Sequence, residues 1–354
     1  MLSMTQKTNK RQDFIVELLE KRGNLAISQI IEEIAKNADK ISKMTAHRDL
    51  DGLIKLGLVR REGKGRAAFY RNTEHSRLIK QIPVDEYFKN ELEKRGTLDK
   101  FNFSIFDFLK NIFTEDEKKL LEFLDKEYRN NIKQLSPTII RKETERLIIE
   151  FSWKSSQIEG NTYTLLETEA LIKDRQEAEG RKKEEAIMIL SHKKALDFIF
   201  KNKSEFKTVS IKKIEHIHSI ITEGLGIPKN IRKSLVGITG TEYKPLDNEW
   251  QIKEALEKTC GLINREKDFF IKSIIASAMI AYIQPFEDGN KRTARILSNA
   301  ILLAADACPL SYRNANETEY KKAILLFFEQ NNISYFKKLF LEQYEFAVKN
   351  YFRA

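Results

Sequence analysis

Cysteine is scarce in this chain of 354 residues, and long apolar runs are absent. The two cysteines, Cys260 and Cys308, lie far apart and lack partner histidines at metal-ligand spacing. That excludes both a disulfide framework and a Cys/His zinc site, and suits a reducing compartment. The longest apolar runs fall well short of the ~20 residues that a membrane span needs, and no apolar N-terminal segment resembles a signal peptide. These absences predict a soluble, cytoplasmic protein with no membrane partner. Acidic residues are outnumbered, 52 against 62 basic, for a formal net charge of +10. A polyanion partner is thereby permitted, but lysine-rich proteins reach such totals by default. Apolar residues make up 41% of the chain, enough for globular cores, and the length predicts two or three folded units.

The stretch from Tyr282 to Arg295, Tyr-Ile-Gln-Pro-Phe-Glu-Asp-Gly-Asn-Lys-Arg-Thr-Ala-Arg, organises the rest. An apolar run from Ile274 to Ile283 is broken by Pro285 and Gly289, and a second helical pattern begins near Asn290 with Ile296, Leu297, Ile301 and Leu302 inward. A loop of this kind leaves free backbone N–H groups at a helix N-terminus, where the helix dipole also favours an anion. Arg292 and Arg295, three apart, share one face of that helix. Two guanidinium forks can grip successive phosphates while Asp288 offers a hard oxygen to a bridging Mg2+. The pattern predicts a triphosphate site.

These residues resemble the Fic motif, His-Pro-Phe-x-Asp/Glu-Gly-Asn-Gly/Lys-Arg-x-x-Arg, through Pro285, Phe286, Asp288, Gly289, Asn290, Arg292 and Arg295. The resemblance implies an all-helical Fic domain that uses ATP and Mg2+ to transfer AMP to a hydroxyl of a target protein, with nucleotide contacts from Gly289, Asn290, Lys291, Arg292 and Arg295. The motif histidine would be the general base, and that position is Gln284. An amide cannot take a proton near neutral pH, and loss of a positioned base typically costs ~10²–10⁴ in rate. Lys291 resembles the Doc-type branch, which implies phosphoryl rather than AMP transfer, so both transfers stay open. So does a catalytically silent regulator that senses nucleotide.

Upstream, Ser155-Ser156-Gln157-Ile158-Glu159-Gly160 resembles the inhibitory motif of the same family, with Ser155, Glu159 and Gly160 in its specified places. The resemblance implies a glutamate paired bidentately with Arg295, competing with a phosphate for one guanidinium. Residues 231–245 resemble the family's flap, a β-hairpin on which Val236, Gly237, Ile238 and Tyr243 would dock an extended target segment. His216 and His218, two apart, face different sides of a helix and are read as surface and packing residues.

The N-terminal residues read as three helices and a basic hairpin. The first carries Phe14, Ile15, Leu18 and Leu19 and closes at Gly23. The second runs from Ser28 to about Ala35, and the third from the N-cap Ser42 to Leu56. Two short strands then flank Gly63-Lys64-Gly65. Within the third helix, Ser42-x-x-Thr45-x-x-Arg48-Asp49-Leu50 resembles the recognition helix of DeoR-type repressors. That resemblance implies a winged helix-turn-helix binding DNA as a homodimer, with Lys43, Met44, Ala46 and His47 toward bases and Thr45, Arg48, Lys64 and Arg66 toward phosphates. Residues 1–75 hold 15 Lys and Arg against 10 Asp and Glu, a surplus suited to phosphate contact.

The expected organisation is mainly α: winged helix-turn-helix 1–75, helical connector 76–137, Fic domain 138–329 with its inhibitory helix, and a C-terminal helix 330–354. The phenylalanines at 101, 103, 106, 108 and 113 are expected to pack rather than to bind.

Overall fold

The computed structural model describes residues 8–37 and 40–353, apart from the side chains of Arg66 and Glu74. Helix α1, Lys10–Arg22, opens with a capping box between Asn9 and Gln12 and stops at Gly23, whose φ is 75°. Helices α2, Ile27–Asn37, and α3, Lys43–Lys55, follow; the Ser42 hydroxyl caps α3 by accepting the Thr45 N–H at 3.1 Å. Strands β2, Val59–Glu62, and β3, Phe69–Asn72, form the antiparallel wing. A two-residue strand β1, Leu25–Ala26, pairs with the free edge of β3, in the order β1-β3-β2. Two residues are too few to display an alternating pattern, so β1 leaves no sequence signal. At the wing tip Gly63 has a φ of 79°, and a Cβ there would lie 2.5 Å from the Ala67 carbonyl oxygen. Ile15, Leu19, Ile30, Ile34, Leu50, Leu53 and Tyr70 form the unit's own core. Buried Asp49 of α3 is held by the Arg11 guanidinium of α1, which fixes the third helix against the first.

Thirteen further α-helices follow among the described residues: α4, Glu74–Ile79; α5, Val84–Lys89; α6, Ile105–Phe108; α7, Glu115–Gln134; α8, Pro137–Ile158; α9, Leu165–Asp174; and α10, Lys183–Lys201. The rest are α11, Ile211–Ile221; α12, Glu249–Arg265; α13, Phe269–Ile283; α14, Asn290–Ala304; α15, Glu317–Gln330; and α16, Ser334–Asn350. No described helix is long and apolar enough to cross a membrane. One continuous core takes in buried residues from Leu78 to Phe352. At its centre α13 is apolar all round, as befits a helix surrounded by other helices.

The phenylalanine cluster packs, and does so beneath the motif: Phe101 stacks on Tyr282 with ring centroids 4.6 Å apart, and the Asn102 N–H donates to the Tyr282 hydroxyl at 3.0 Å. The turn between α15 and α16 grips the segment that follows the wing. Asn332 Nδ2 donates to the carbonyls of Arg77 and Lys80, and Lys80 reaches back to Glu20 of α1 at 2.6 Å.

The flap differs from expectation. Residues 231–246 turn at Thr239 and Gly240, but no strand pair forms there; the segment makes one isolated bridge, Lys100 with Lys244. Its backbone groups are taken elsewhere. The Arg232 N–H donates to the Pro285 carbonyl, the Arg232 guanidinium takes the carbonyls of Ser234 and Leu246, and the Lys244 N–H donates to Asp99.

Candidate functional site

The site begins where α13 ends. Gln284 caps that helix with φ 51° and ψ 59°, the left-handed region that costs a non-glycine residue roughly 1–3 kcal/mol. The strained residue is tied from three sides. Its Nε2 donates to the Ala281 carbonyl at 2.6 Å, its Oε1 accepts from Asn290 Nδ2 at 3.0 Å, and its carbonyl accepts from buried Arg232 Nε at 2.6 Å. Asn290 also clamps Phe286, accepting its N–H and donating to its carbonyl at 2.8 Å each. Gly289 starts α14 at φ 79°, where a Cβ would meet Thr222 Cγ2 at 3.1 Å and the His218 ring at 3.4 Å. The His218 ring lies flat on Phe286, centroids 3.6 Å apart, and its Nε2 donates to the Asp288 carbonyl. Burial pushes the His218 pKa down, which keeps the ring neutral in this packing role.

This loop forms one wall of a cleft of about 410 Å³, within the size range of small-molecule sites. No side chain caps the first turn of α14, so its N–H groups and dipole favour an anion. Arg292 and Arg295 are 2% and 0% exposed. Arg292 Nη2 pairs with Asp288 at 3.0 Å. Arg295 Nη2 pairs with Glu159 at 2.8 Å and with the Ser155 carbonyl at 3.0 Å, its Nε donates to the Ser155 hydroxyl at 2.9 Å, and its guanidinium stands over the Tyr320 ring. On each arginine the remaining Nη1 is buried and has no hydrogen-bond partner. A buried unpaired guanidinium donor is costly, and both belong to residues of the anion-favouring helix.

Glu159 closes this end of the cleft. Its contact with Arg295 is single, not the bidentate pair expected, because the second oxygen goes to Lys291 Nζ at 3.3 Å. Burial alone would raise the Glu159 pKa; the charges of Arg295 and Lys291 outweigh it and bring the value down to about 2. Burial lowers the Arg295 pKa and Glu159 more than reverses that, so both partners are charged.

Glu159, Val236, Gly237, Ile238, Gln284, Asp288, Gly289, Asn290, Lys291 and Arg292 all line the cleft, while Ser155 and Arg295 lie buried beneath it. Gly160 lies outside the lining and ends α8 with a φ of 97°. Tyr243 is a correction: it is 2% exposed, stacks on Tyr282 and donates to the Tyr282 carbonyl, so it supports the motif helix and cannot dock a target. The Asn290 side chain is likewise engaged by the loop, leaving only its backbone N–H for a ligand. Among the described residues no cluster of three His, Cys, Asp or Glu could hold a metal. Asp288, its side chain 68% exposed, is a fitting single carboxylate for Mg2+ that takes its other ligands from phosphates and water.

On α3, Lys43, Met44 and Arg48 are exposed, Met44 by 82%, as is Lys64 on the wing, whereas Thr45 and His47 are half-buried. Ala46 is a second correction. It is fully buried against the core of the unit and cannot face a base. The side chain of Arg66 lies outside the described residues.

Two family models match these regions: the Fic/DOC family over residues 208–302 and the DeoR-like helix-turn-helix domain over residues 11–73. A Fic/DOC domain is present. The match takes in the flap segment and the Gln284–Arg295 motif but not α8. The protein adenylyltransferase Fic of Culex quinquefasciatus is 26% identical over 215 residues, covering 58% of this chain and 42% of that one. A probable protein adenylyltransferase of Aquifex aeolicus is 33% identical over 100 residues, 28% of this chain and 31% of its own. The chain thus spans less than half the length of these curated relatives. Solved structures share the fold: Fic-1 from C. elegans at TM-score 0.58 and 20% identity, over 67% of this chain and 71% of that one. A Fic domain signaling protein from Bacteroides thetaiotaomicron aligns at TM-score 0.56 and 16% identity, over 65% and 94%.

Proposed function

We propose that the cleft binds ATP with Mg2+ and is a protein adenylyltransferase site held closed by Glu159, in a chain whose N-terminal unit binds DNA. The observation that carries this reading is the pair of buried, partnerless Nη1 donors on Arg292 and Arg295 beside the uncapped start of α14. Their donors suit two successive phosphates, and Glu159 occupies one of the two arginines. When bound, Mg2+ at Asp288 would neutralise phosphate charge. The extended run Val236–Ile238 on the opposite wall would hold the target segment that carries the hydroxyl.

In the transfer, the hydroxyl oxygen bonds to the α-phosphorus, the bond to pyrophosphate breaks, and the hydroxyl proton needs an acceptor. Gln284 stands where the family motif has histidine. Its amide has no basic site, and both its ends are already bonded within the loop. The chain as it stands therefore transfers little AMP. That engaged carboxamide also favours a second reading, a nucleotide sensor without transfer activity.

The test uses α-labelled and γ-labelled ATP in parallel on the parent and on a Gln284→His, Glu159→Gly double variant. Label from the α-position in the double variant alone supports the adenylyltransferase site. Label from the γ-position alone identifies phosphoryl transfer, with Lys291 orienting the nucleotide the other way. No label in the double variant, with ATP binding retained, supports the sensor. Strong α-label transfer by the parent would refute the role given to the missing histidine.

A further inference from the structure

Behind Ser155, the residue that holds Arg295, lies a histidine that neither motif includes. His192 of α10 is fully buried. Its Nε2 lies 2.9 Å from the Ser155 hydroxyl, and its Nδ1 lies 2.8 Å from the Met188 carbonyl and 3.3 Å from the Ser156 hydroxyl. We propose that His192 is a positioning residue that sets the direction of the hydrogen bonds holding Arg295 for a phosphate. The inference rests on the reading of Arg295 as a phosphate ligand.

The direction follows from acceptors and donors. A carbonyl oxygen only accepts, so at 2.8 Å the ring nitrogen facing Met188 must carry a hydrogen. The imidazole is neutral, since burial and the nearby charges of Arg292 and Arg295 hold its pKa down at about 3. A neutral ring with a hydrogen on Nδ1 has only a lone pair on Nε2. Ser155 must then donate its hydroxyl hydrogen to Nε2, and its oxygen presents lone pairs to Arg295 Nε–H, 2.9 Å away. With Ser155 Oγ fixed as an acceptor, Arg295 is anchored through Nε and Nη2 to α8, and Nη1 is the one donor left over. Without His192, the Ser155 hydrogen loses the acceptor that fixes it, and the hydroxyl that holds the Arg295 Nε–H is no longer tied to α10. Glu159 and His192 thus act on one arginine by different routes: the carboxylate competes with the ligand directly, and the imidazole acts through Ser155 to aim the side chain at it.

The relay is tested first without nucleotide. Nitrogen-detected NMR of the full chain should find His192 as the Nδ1–H tautomer, with no titration between pH 5 and 8, and Arg295 Nε–H shifted by Ser155→Ala. An Nε2–H tautomer, or a ring that titrates in that range, overturns the proposal whatever the nucleotide does. The second arm measures Mg-ATP binding in the Glu159→Gly chain. His192→Phe added to it should weaken binding roughly tenfold or more, and His192→Gln, which can donate to Met188 and accept from Ser155, should restore most of it. Adenosine serves as the probe lacking phosphate, and its binding should be the same in all three. Equal Mg-ATP binding by the Phe and parent rings overturns the positioning role, as does a parallel loss for adenosine, which would mark a collapsed pocket. A Glu159→Gly chain with the correct tautomer that binds no Mg-ATP would instead sink the nucleotide reading and confine His192 to ordering Arg295.

Discussion

Replacing Glu159 with glycine should make the chain less stable alone and more responsive to nucleotide, and the two effects should be of similar size. In the folded chain the Glu159 pKa falls from 4.5 to about 2. At about 1.4 kcal/mol per tenfold, this is a folded-state preference for the carboxylate of about 3 kcal/mol. Breaking a buried ion pair by removing one partner costs about 3–5 kcal/mol in other proteins, which agrees. At roughly 2–4 °C per kcal/mol, the unliganded variant should melt up to ~10 °C below the parent in buffer without phosphate. The same contact opposes any phosphate that must displace Glu159 from Arg295. Its removal should tighten Mg-ATP binding about 100-fold, which at a fixed saturating concentration adds close to 2.7 kcal/mol of ligand stabilisation. Because the folded pKa lies below the unfolded value, this stability is complete above pH 4.5 and lost as pH falls toward 2. The gap between parent and variant should close over that acid range. Differential scanning calorimetry with and without Mg-ATP reads all three quantities. A variant that melts like the parent, or gains no more from ATP than the parent does, refutes the competition between carboxylate and phosphate.

Three further outcomes are expected. Arg48→Ala or Lys64→Ala should weaken duplex DNA binding across sequences and make its salt dependence shallower, while His47→Ala relaxes sequence choice; salt-titrated binding assays check this, and equal binding by a charge-stripped α3 would remove DNA as a partner. Asp49→Ala removes the buried carboxylate that a part-exposed Arg11 holds and should destabilise the N-terminal unit by about 1.5–3 kcal/mol, visible as selective loss of amide protection in α1 and α3; an unchanged exchange pattern would refute the lock between α1 and α3. Arg232→Ala removes donors from three carbonyls, including that of Gln284, so proteolysis within 231–246 should accelerate while the midpoint for DNA binding stays put.

The chemistry-bearing residues were legible in the sequence where chemistry fixes residue type at short range. Pro285, Gly289 and the two arginines are determined by one loop and one helix turn, and a linear pattern carries them. The helix-turn-helix was legible for a similar reason: Ser42, Gly23 and Gly57 are local start and stop signals. Burial was harder to read. Ala46 was legible and was overridden by the resemblance: it stands four residues before Leu50 and seven before Leu53, on the same inward face of α3. Tyr243 was assigned to the docking flap by the resemblance of residues 231–245 alone, whereas its ring packs against Tyr282 and Phe328.

What the sequence could not reveal are the contacts that make Gln284 tenable. Its left-handed backbone is held by Arg232, 52 positions earlier, and Arg232 also donates to the Ser234 and Leu246 carbonyls of its own segment. One buried guanidinium therefore sets the floor of the cleft and the course of its opposite wall. A substitution at 284 changes the side chain within a backbone already fixed from elsewhere. Histidine there could donate one N–H to the Ala281 carbonyl, as Gln284 Nε2 does, and keep a lone pair on the other nitrogen, which Asn290 Nδ2 would meet until a hydroxyl displaced it. On the proposed reading the same scaffold would present a base, because Arg232 and Asn290 would do the positioning and the one side chain between them would carry the proton chemistry.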